Sequence, residues 1–248
     1  MKKVVLRKKA RLFSFLLQPM NRYAVIVAGG SGSRMGTTTP KQFLALRQMP
    51  LLWHTLQAFT QVIPASNIIV VVPEPYLKSD TLQWIDAAFG AAITLVAGGE
   101  TRFHSVKNGL SKVPNDALVA VHDAVRCLIT PSLIEACFVQ ATTTKSAIPA
   151  ISSVDSVRLQ APDGSNQMLN RNQVMLIQTP QTFHSTLLKQ AFEQPYNDTF
   201  TDEASVVEAI GATVQLIPGE TTNLKVTRPL DLVIAEYILQ ERTENFSE

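Results

Sequence analysis

Two patterns of apolar residues alternate along the chain. Short apolar runs begin at Tyr23 and recur at residues 68–72, 92–97, 117–121, 146–151 and 214–217. Between them, apolar residues follow the three- and four-residue spacing of an α-helix, at residues 50–62, 77–89, 103–110 and 131–143. A final amphipathic helix is expected to follow Pro229 and to end near Leu239. The runs predict strands that are buried on both faces, and the periodic segments predict helices that cover them.

This alternation predicts an α/β fold of Rossmann-like type, with a mostly parallel sheet covered by helices. Ligands of such sheets bind beyond the carboxyl ends of the strands, and the polar motifs of this chain fall at those ends. We expect one domain at residues 20–242, followed by a tail at 243–248. Residues 178–183 are expected to lead into one helix. Another should open at Thr201 or Asp202, either of which suits a helix cap, and end at Gly211.

The alternation breaks at residues 152–173. A strand-like segment at 153–159 is followed by the turn signal Pro162-Asp163-Gly164, and residues 168–172 can return beside it. This pattern predicts a β-hairpin arm that protrudes from the main sheet. An exposed hairpin that carries apolar residues needs a partner surface.

Residues 1–19 are expected to form a disordered extension. They begin with basic residues and include a short apolar run at 12–17, which imitates a signal peptide. However, the run is shorter than the usual apolar region, and no small-x-small cleavage site follows it. A surface-binding helix is the alternative interpretation.

Composition is that of an ordinary globular protein. With 248 residues, 46% hydrophobic and 17% charged, the chain can bury the core of one α/β domain. No apolar stretch has the length of a bilayer span, so no membrane partner is expected. The net charge is +2, but six of the 22 cations and no acid precede Met20. The remaining sixteen cations face twenty acids, and this net charge of −4 argues against nucleic acid as a partner.

Cysteine and histidine give no sign of a structural metal. Cys127 and Cys137 lack metal-ligand spacing, and the four histidines include no pair at the helical i, i+4 spacing. Without a disulfide framework, a cytoplasmic location is expected.

A glycine-rich loop follows the first strand, in the stretch Y-A-V-I-V-A-G-G-S-G-S-R-M-G-T-T-T-P-K-Q-F that runs from Tyr23 to Phe43. Its glycines let backbone N–H groups face an anion, and Arg34 and Lys41 add positive charge, which together predict a phosphate cradle. A dinucleotide fingerprint would need glycine at Met35, and a Walker loop needs adjacent Gly-Lys-Ser/Thr, so neither template fits. A simple glycine-rich turn after a buried strand is the alternative.

Two further polar loops follow predicted strands. The segment G-G-E-T-R-F-H-S at 98–105 is a weak signal, because a turn that starts a helix has the same pattern. The segment V-H-D-A-V-R at 121–126 offers Asp123 for a ribose or a metal and Arg126 for a phosphate. Asp123 capping a helix near Pro131 is the alternative interpretation.

Together these motifs resemble those of nucleotidyltransferases that activate sugar and polyol phosphates. The later motifs T-P-Q, T-D-E-A-S and N-x-K-V-T-R-P narrow the resemblance to the 2-C-methyl-D-erythritol 4-phosphate cytidylyltransferase family. Each motif is weak alone, but the set is specific and covers about residues 21–242. Two positions depart from the family pattern: Cys127 stands where proline is usual, and Ser156 stands where threonine is usual.

The resemblance implies a set of site residues. Arg34 and Lys41 would be catalytic. The positions implied for the nucleotide are Ala28, Gly29, Gly30, Ser31, Gly32, Gly99, Glu100, Arg102, Ser105, Asp123 and Ala124. The positions implied for the acceptor are Arg126, Ser156, Arg171, Thr179, Thr201 and Lys225. Mg²⁺ or another divalent cation would bind the triphosphate, with Asp123 as its protein ligand.

The implied reaction transfers a cytidylyl group from CTP to 2-C-methyl-D-erythritol 4-phosphate and releases pyrophosphate, a step of non-mevalonate isoprenoid biosynthesis. The resemblance also implies a homodimer in which each arm packs on the other subunit and completes its acceptor site. A ribitol 5-phosphate cytidylyltransferase is one alternative. A non-catalytic nucleotide-binding regulator is another, although the retention of both Arg34 and Lys41 argues against it.

Overall fold

A computed structural model describes residues 20–30 and 39–244. The strands are β1 (Arg22–Val27), β2 (Ala45–Leu46), β3 (Met49–Pro50), β4 (Ile68–Val72), β5 (Thr94–Ala97), β6 (Leu118–Asp123), β7 (Ser146–Ser152), β8 (Val157–Gln160), β9 (Asn166–Leu169), β10 (Met175–Ile177), β11 (Gln181–His184) and β12 (Leu216–Pro218). The α-helices are α1 (Leu51–Thr60), α2 (Glu74–Leu77), α3 (Gln83–Phe89), α4 (Arg102–Leu110), α5 (Pro131–Thr144), α6 (Ser185–Ala191), α7 (Glu203–Glu208) and α8 (Pro229–Glu244).

The predicted mostly parallel sheet is confirmed. Strands β6, β1, β4 and β5 lie side by side and parallel, with Ala24 of β1 opposite both Ile68 and Ala120. Strand β11 runs antiparallel between β6 and β7. Beyond it, β7 pairs with β10 in antiparallel and with β12 in parallel orientation. The carboxyl ends of β1, β4, β5 and β6 therefore meet at one edge of the sheet, where ligands of such folds bind.

Side chains alternate between two cores on opposite faces of this sheet. In β1, Ala24 and Ile26 join one apolar cluster, whereas Val25 joins the other, as the two-residue period of a strand requires. A third, smaller cluster around Leu46, Leu128 and Ala235 packs α8 against residues that follow the carboxyl end of β6. Within the described part of the chain, no helix combines the length and apolarity that crossing a bilayer requires.

Several elements differ from the sequence-based expectations. Of the helix expected at 77–89, only α3 at Gln83–Phe89 forms as an α-helix. A 3₁₀ turn at Asp80–Leu82 precedes it, and the separate helix α2 ends at Leu77. Strand β11 and the short β2–β3 hairpin were not predicted. The last helix was expected to end near Leu239, but α8 continues to Glu244. The expected domain bounds, with an extension at 1–19 and a tail at 243–248, stay predictions, and residues 1–19 and 245–248 lie outside the described residues.

The predicted arm is confirmed as a hairpin, with shorter strands than expected. Strands β8 and β9 pair with each other in a two-stranded sheet separate from the main one, joined by a turn in which Gly164 has a φ of +85°. Apolar side chains are exposed along it, including Met168 at 73% and, at its base, Val154 at 82%. Because an isolated two-stranded ribbon is marginally stable, the arm needs support from another surface.

Candidate active site

Three loops at the carboxyl ends of β1, β5 and β6 enclose a cavity of about 420 Å³. The residues that line it are Val27, Ala28, Gly29, Gly30, Lys41, Gln42, Gly99, Glu100, Thr101, Arg102, Ser105, Asp123, Val125 and Lys225. Most of the residues implied for the nucleotide are thus brought together. Ala124 is fully buried beside the cavity and donates its backbone N–H to the carbonyl of Val27 at 3.0 Å. Ser31, Gly32 and Arg34 lie outside the described residues.

The start of the glycine loop is held from two sides. The N–H of Ala28 donates to the carbonyl of Val71 at 2.8 Å, and its carbonyl accepts from Gln42 Nε2 at 2.6 Å. Gln42 is 1% exposed, and it belongs to the 3₁₀ turn Lys41–Phe43, which also places Lys41 on the cavity wall. A buried amide that satisfies a backbone carbonyl fixes the loop, so Gln42 positions Lys41 against the glycines.

The loop before α4 has little freedom. The N–H of Gly99 donates to Ser105 Oγ at 3.0 Å, and the hydroxyl of Thr101 accepts from the N–H of His104 and caps the helix. A Cβ added to Gly99 would lie 2.4 Å from Cβ of His104, well inside contact distance. Glycine is therefore required at 99, and Ser105 acts by shaping this loop.

Asp123, the last residue of β6, is the electrostatic centre of the site. Its Oδ1 accepts from Arg102 Nη2 at 3.2 Å, and its Oδ2 accepts from Lys225 Nζ at 2.8 Å. Arg126 Nε lies 3.9 Å from the same Oδ2. Burial alone would raise the pKa of this carboxyl group, but the charges of Arg102, Lys225 and Arg126 outweigh it and hold the pKa well below its usual range. Asp123 is therefore an ionised carboxylate at any physiological pH.

A hydrogen-bonded chain behind Asp123 fixes its backbone. Thr179 Oγ1 accepts from the N–H of Asp123 at 3.1 Å and lies 3.1 Å from Nδ1 of His122, whose Nε2 lies 3.2 Å from the carbonyl of Arg126. His122 is fully buried, and burial lowers its pKa to about 3, so the ring is neutral. A neutral ring that donates from Nε2 to the Arg126 carbonyl accepts the Thr179 proton at Nδ1. Thr179 thus supports Asp123 from behind, and its contact with an acceptor stays a prediction.

A second, smaller cavity of about 200 Å³ adjoins the first. The residues that line it are Arg102, Asp123, Arg126, Ile177, Gln181, Thr201, Asp202 and Lys225. Arg126, Thr201 and Lys225, all expected to bind the acceptor, meet here. Arg126 is held by the backbone carbonyl of Asn223, to which its Nη1 donates at 2.8 Å.

Two of the expected acceptor residues do not reach these cavities within one chain. Ser156 and Arg171 lie on the arm, both are exposed, and Arg171 Nη1 donates to the carbonyl of Val154 at 3.1 Å. Neither side chain lines the cavities described above.

Sequence reasoning missed two residues that organise the site. Gln42 holds the glycine loop, and Glu203, with 0% exposure, binds Arg102 through both carboxylate oxygens. Both belong to quoted motifs, P-K-Q-F and T-D-E-A-S. The sequence does contain a signal for them: Gln42 and Glu203 are polar residues inside these motifs to which no role was assigned.

Asp123 is the residue expected to bind a divalent cation, and it lines both cavities. Among the described residues, no three His, Cys, Asp or Glu side chains gather as a metal site. Asp123 is ionised, and its Oδ2 accepts one hydrogen bond within normal distance, from Lys225, so one lone pair stays available. Mg²⁺ commonly binds through one or two carboxylates together with substrate phosphates. The site therefore suits a cation held mainly by a triphosphate.

Known proteins are similar to this chain in sequence and in fold. A family model for 2-C-methyl-D-erythritol 4-phosphate cytidylyltransferase matches residues 23–241. A protein of that name from Phocaeicola vulgatus is 45% identical over 224 residues, which cover 89% of this chain and all of the relative. Another from Bacteroides fragilis is 43% identical over 220 residues, with the same coverage of both chains.

Solved structures agree. The crystal structure of 4-diphosphocytidyl-2C-methyl-D-erythritol synthase from Anaerococcus prevotii has a TM-score of 0.77 at 27% identity, covering 90% of this chain and all of the other. That of 2-C-methyl-D-erythritol 4-phosphate cytidylyltransferase from Thermus thermophilus has a TM-score of 0.72 at 28% identity, covering 89% and 100%. With its glycine loop, its Asp123 cluster and these matches along nearly its whole length, the chain belongs to the 2-C-methyl-D-erythritol 4-phosphate cytidylyltransferase family.

Proposed function

We propose that this protein transfers the cytidylyl group of CTP to the phosphate of 2-C-methyl-D-erythritol 4-phosphate and releases pyrophosphate. The observation that carries the proposal is the pair of adjoining cavities that share Arg102, Asp123 and Lys225. One cavity is lined by a glycine loop suited to phosphates. The other is lined by three cations, two carboxylates and the hydroxyl of Thr201. Such an arrangement can hold a nucleotide and a second anion side by side.

In the proposed reaction, an oxygen of the acceptor phosphate attacks the α-phosphorus of CTP. The bond from that phosphorus to the bridging β-phosphate oxygen breaks, and pyrophosphate leaves with the electron pair. The attacking oxygen is already anionic, so no general base is required. Lys41, on the wall beside the glycine loop, and Arg34 are assigned to the charge that builds at the α-phosphate. Mg²⁺, held by the triphosphate and Asp123, would supply further neutralisation of that charge.

The loop at 98–105 is assigned to the cytosine ring. Gly99 and Glu100 line the larger cavity, and the Ser105 hydroxyl holds the loop backbone in place. On the acceptor side, Lys225 and Arg126 are assigned to the acceptor phosphate, with Thr201 beside them and Thr179 behind.

A homodimer is part of the same proposal. The arm pairs with no other strand of the described chain, exposes apolar side chains, and carries Ser156 and Arg171, neither of which lines a cavity of its own subunit. All three features suit an arm that packs on a second copy and brings these side chains to that copy's acceptor cavity. The proposed location is the cytoplasm, because the buried thiols of Cys127 and Cys137 are free and suit a reducing compartment.

The test is pyrophosphate release by the purified protein with CTP, Mg²⁺ and 2-C-methyl-D-erythritol 4-phosphate. We expect release that requires all three and a product heavier than the acceptor by one cytidylyl group. Pyrophosphate release without the acceptor, or none with it, would overturn the proposal.

A further inference from the structure

The carboxylate of Glu203 is the one part of the charged cluster that touches neither cavity. It is the first residue of α7, has 0% exposure, and accepts from Arg102 Nη1 at 2.5 Å and from Nη2 at 3.1 Å. A buried carboxylate is stable only when its charge is matched with good geometry, and this two-point pairing supplies the match.

The Nε–Nη2 edge of the Arg102 guanidinium faces Asp123. Its Nε and Nη2 lie 3.3 Å and 3.2 Å from Asp123 Oδ1, while Lys225 Nζ lies 2.8 Å from Oδ2. Four alternating charges therefore run from Glu203 through Arg102 and Asp123 to Lys225, with zero net charge. Burial lowers the pKa of Arg102, but Glu203 and Asp123 outweigh it and raise the pKa, so the guanidinium stays charged.

The chain of charges also joins two loops. Arg102 lies within the segment 98–105 that is assigned to the cytosine, and Glu203 lies two residues after Thr201 on the acceptor side. Removing the charge of Glu203 would release Arg102 toward Asp123, where it would compete with Lys225 for the carboxylate. The acceptor cation would then lose its fixed position, although no residue lining either cavity had changed.

The fold around the pair has independent support. Asp202 and Ser205 form a reciprocal capping box at the start of α7. The ring of Phe103 stacks on Phe200 and Phe192, at centroid distances of 5.7 Å and 4.6 Å, and so ties the two loops together. A change confined to the charge of Glu203 leaves these contacts in place.

We propose that Glu203 is a positioning residue for the acceptor side of the site, acting through Arg102 and Asp123 on Lys225. This inference rests on the proposed function. Glu203→Gln is expected to lower kcat/KM for the acceptor by on the order of tenfold or more, since small displacements of binding groups have effects of that size. The dissociation constant for CTP should change less than the acceptor kcat/KM, and the unfolding midpoint should change little. Glu208→Gln, an exposed position on the same helix, is the matched control and should behave as wild type.

A double-mutant cycle with Lys225→Ala separates positioning from a general structural role. If Glu203 acts through Lys225, its substitution should have little further effect on acceptor kcat/KM in the Lys225→Ala background. Additive effects in an active enzyme would overturn the inference. A wild-type protein that fails to turn over would instead refute the proposed function.

If Glu203→Gln does not unfold cooperatively, Glu203→Asp, which keeps the charge but shortens the reach, takes its place in the cycle. Failure of both to fold would make the role structural and also overturn the inference.

Discussion

Lys225 Nζ lies 2.8 Å from Asp123 Oδ2, which ties the last motif of the chain to the end of a central strand. Of the three cations around Asp123, Lys225 has the most exposed side chain, at 41% against 28% for Arg102 and 12% for Arg126. It is therefore the cation best placed to turn toward an incoming phosphate while the two arginines keep Asp123 ionised.

Lys225→Ala should raise the KM for the acceptor by at least about tenfold, the effect of losing a charge-assisted contact worth about 1.4 kcal/mol. The dissociation constant for CTP should stay within about threefold, because the ammonium is assigned to the acceptor. Steady-state kinetics and calorimetry of CTP binding measure the two quantities. Lys112→Ala is the control, because Lys112 is an exposed lysine that lines neither cavity. A large loss of CTP affinity in Lys225→Ala would assign the lysine to the nucleotide.

Lys41→Ala and Arg34→Ala should each lower kcat by on the order of 10² to 10³, as removal of a preorganised charge-stabilising group does. CTP binding should fall less, because the glycines of the first loop and the loop at 98–105 are unchanged. Single-turnover kinetics at saturating CTP separate the chemical step from binding. If only the KM for CTP rises, these cations bind the ground state and the chemistry is misassigned.

Mixing two impaired variants, assayed at an acceptor concentration well below the raised KM, tests whether the arm acts on the other subunit. Arg171→Ala changes the arm and Lys225→Ala changes the body. If the arm completes the partner's site, a mixed dimer contains one site with both residues intact, so activity should appear above the mean of the two parents after subunits exchange. If each arm serves its own subunit, every site in the mixture has a defect and no activity is gained.

Deletion of residues 152–173 should give monomers that bind CTP, and an unchanged dimer in sedimentation would exclude the arm as the dimer contact.

The buried His122 predicts a specific pH dependence of stability. Burial lowers its pKa to about 3, whereas the ordinary value is 6.5. Between these values the unfolded chain binds a proton that the folded protein excludes, so the free energy of unfolding falls as the pH falls. His122 alone contributes a slope approaching about 1.4 kcal/mol per pH unit in that window. Urea denaturation of His122→Gln between pH 4.5 and pH 7 should show a shallower slope than wild type; parallel slopes would mean that His122 is protonated in the fold.

The main strands and helices follow from the sequence because their apolar periods are long and regular. Strand β11 was not predictable in this way: it has four residues, and its Gln181 and Thr182 are buried polar side chains. Gln181 is accommodated by a hydrogen bond from its Nε2 to Asp202 Oδ2 at 2.8 Å, a partner that only the fold brings near. The β2–β3 hairpin turns at Arg47 and Gln48, both with positive φ, where glycine or asparagine is the usual signal.

The candidate site was predictable where chemistry falls at strand ends. Asp123, Arg126 and the glycine loop stand out by position and residue type. Glu203 does not, because at the start of a helix an acidic residue is ordinary and its partner, Arg102, lies 101 residues away. Long-range pairing of this kind leaves no periodic trace in a single sequence.

The most direct test of the proposed function is competition between 2-C-methyl-D-erythritol 4-phosphate and ribitol 5-phosphate in one reaction with CTP and Mg²⁺. Both acceptors present a terminal phosphate and a row of hydroxyls, so they are distinguished by the shape of the smaller cavity and of the arm that is proposed to complete it. Mass spectrometry of the two cytidylyl products gives the ratio of kcat/KM directly. We predict a preference of at least about tenfold for the methylerythritol acceptor, roughly 1.4 kcal/mol, which a branch methyl and misplaced hydroxyls can supply. Equal use of the two acceptors, or a preference for ribitol 5-phosphate, would contradict the assignment.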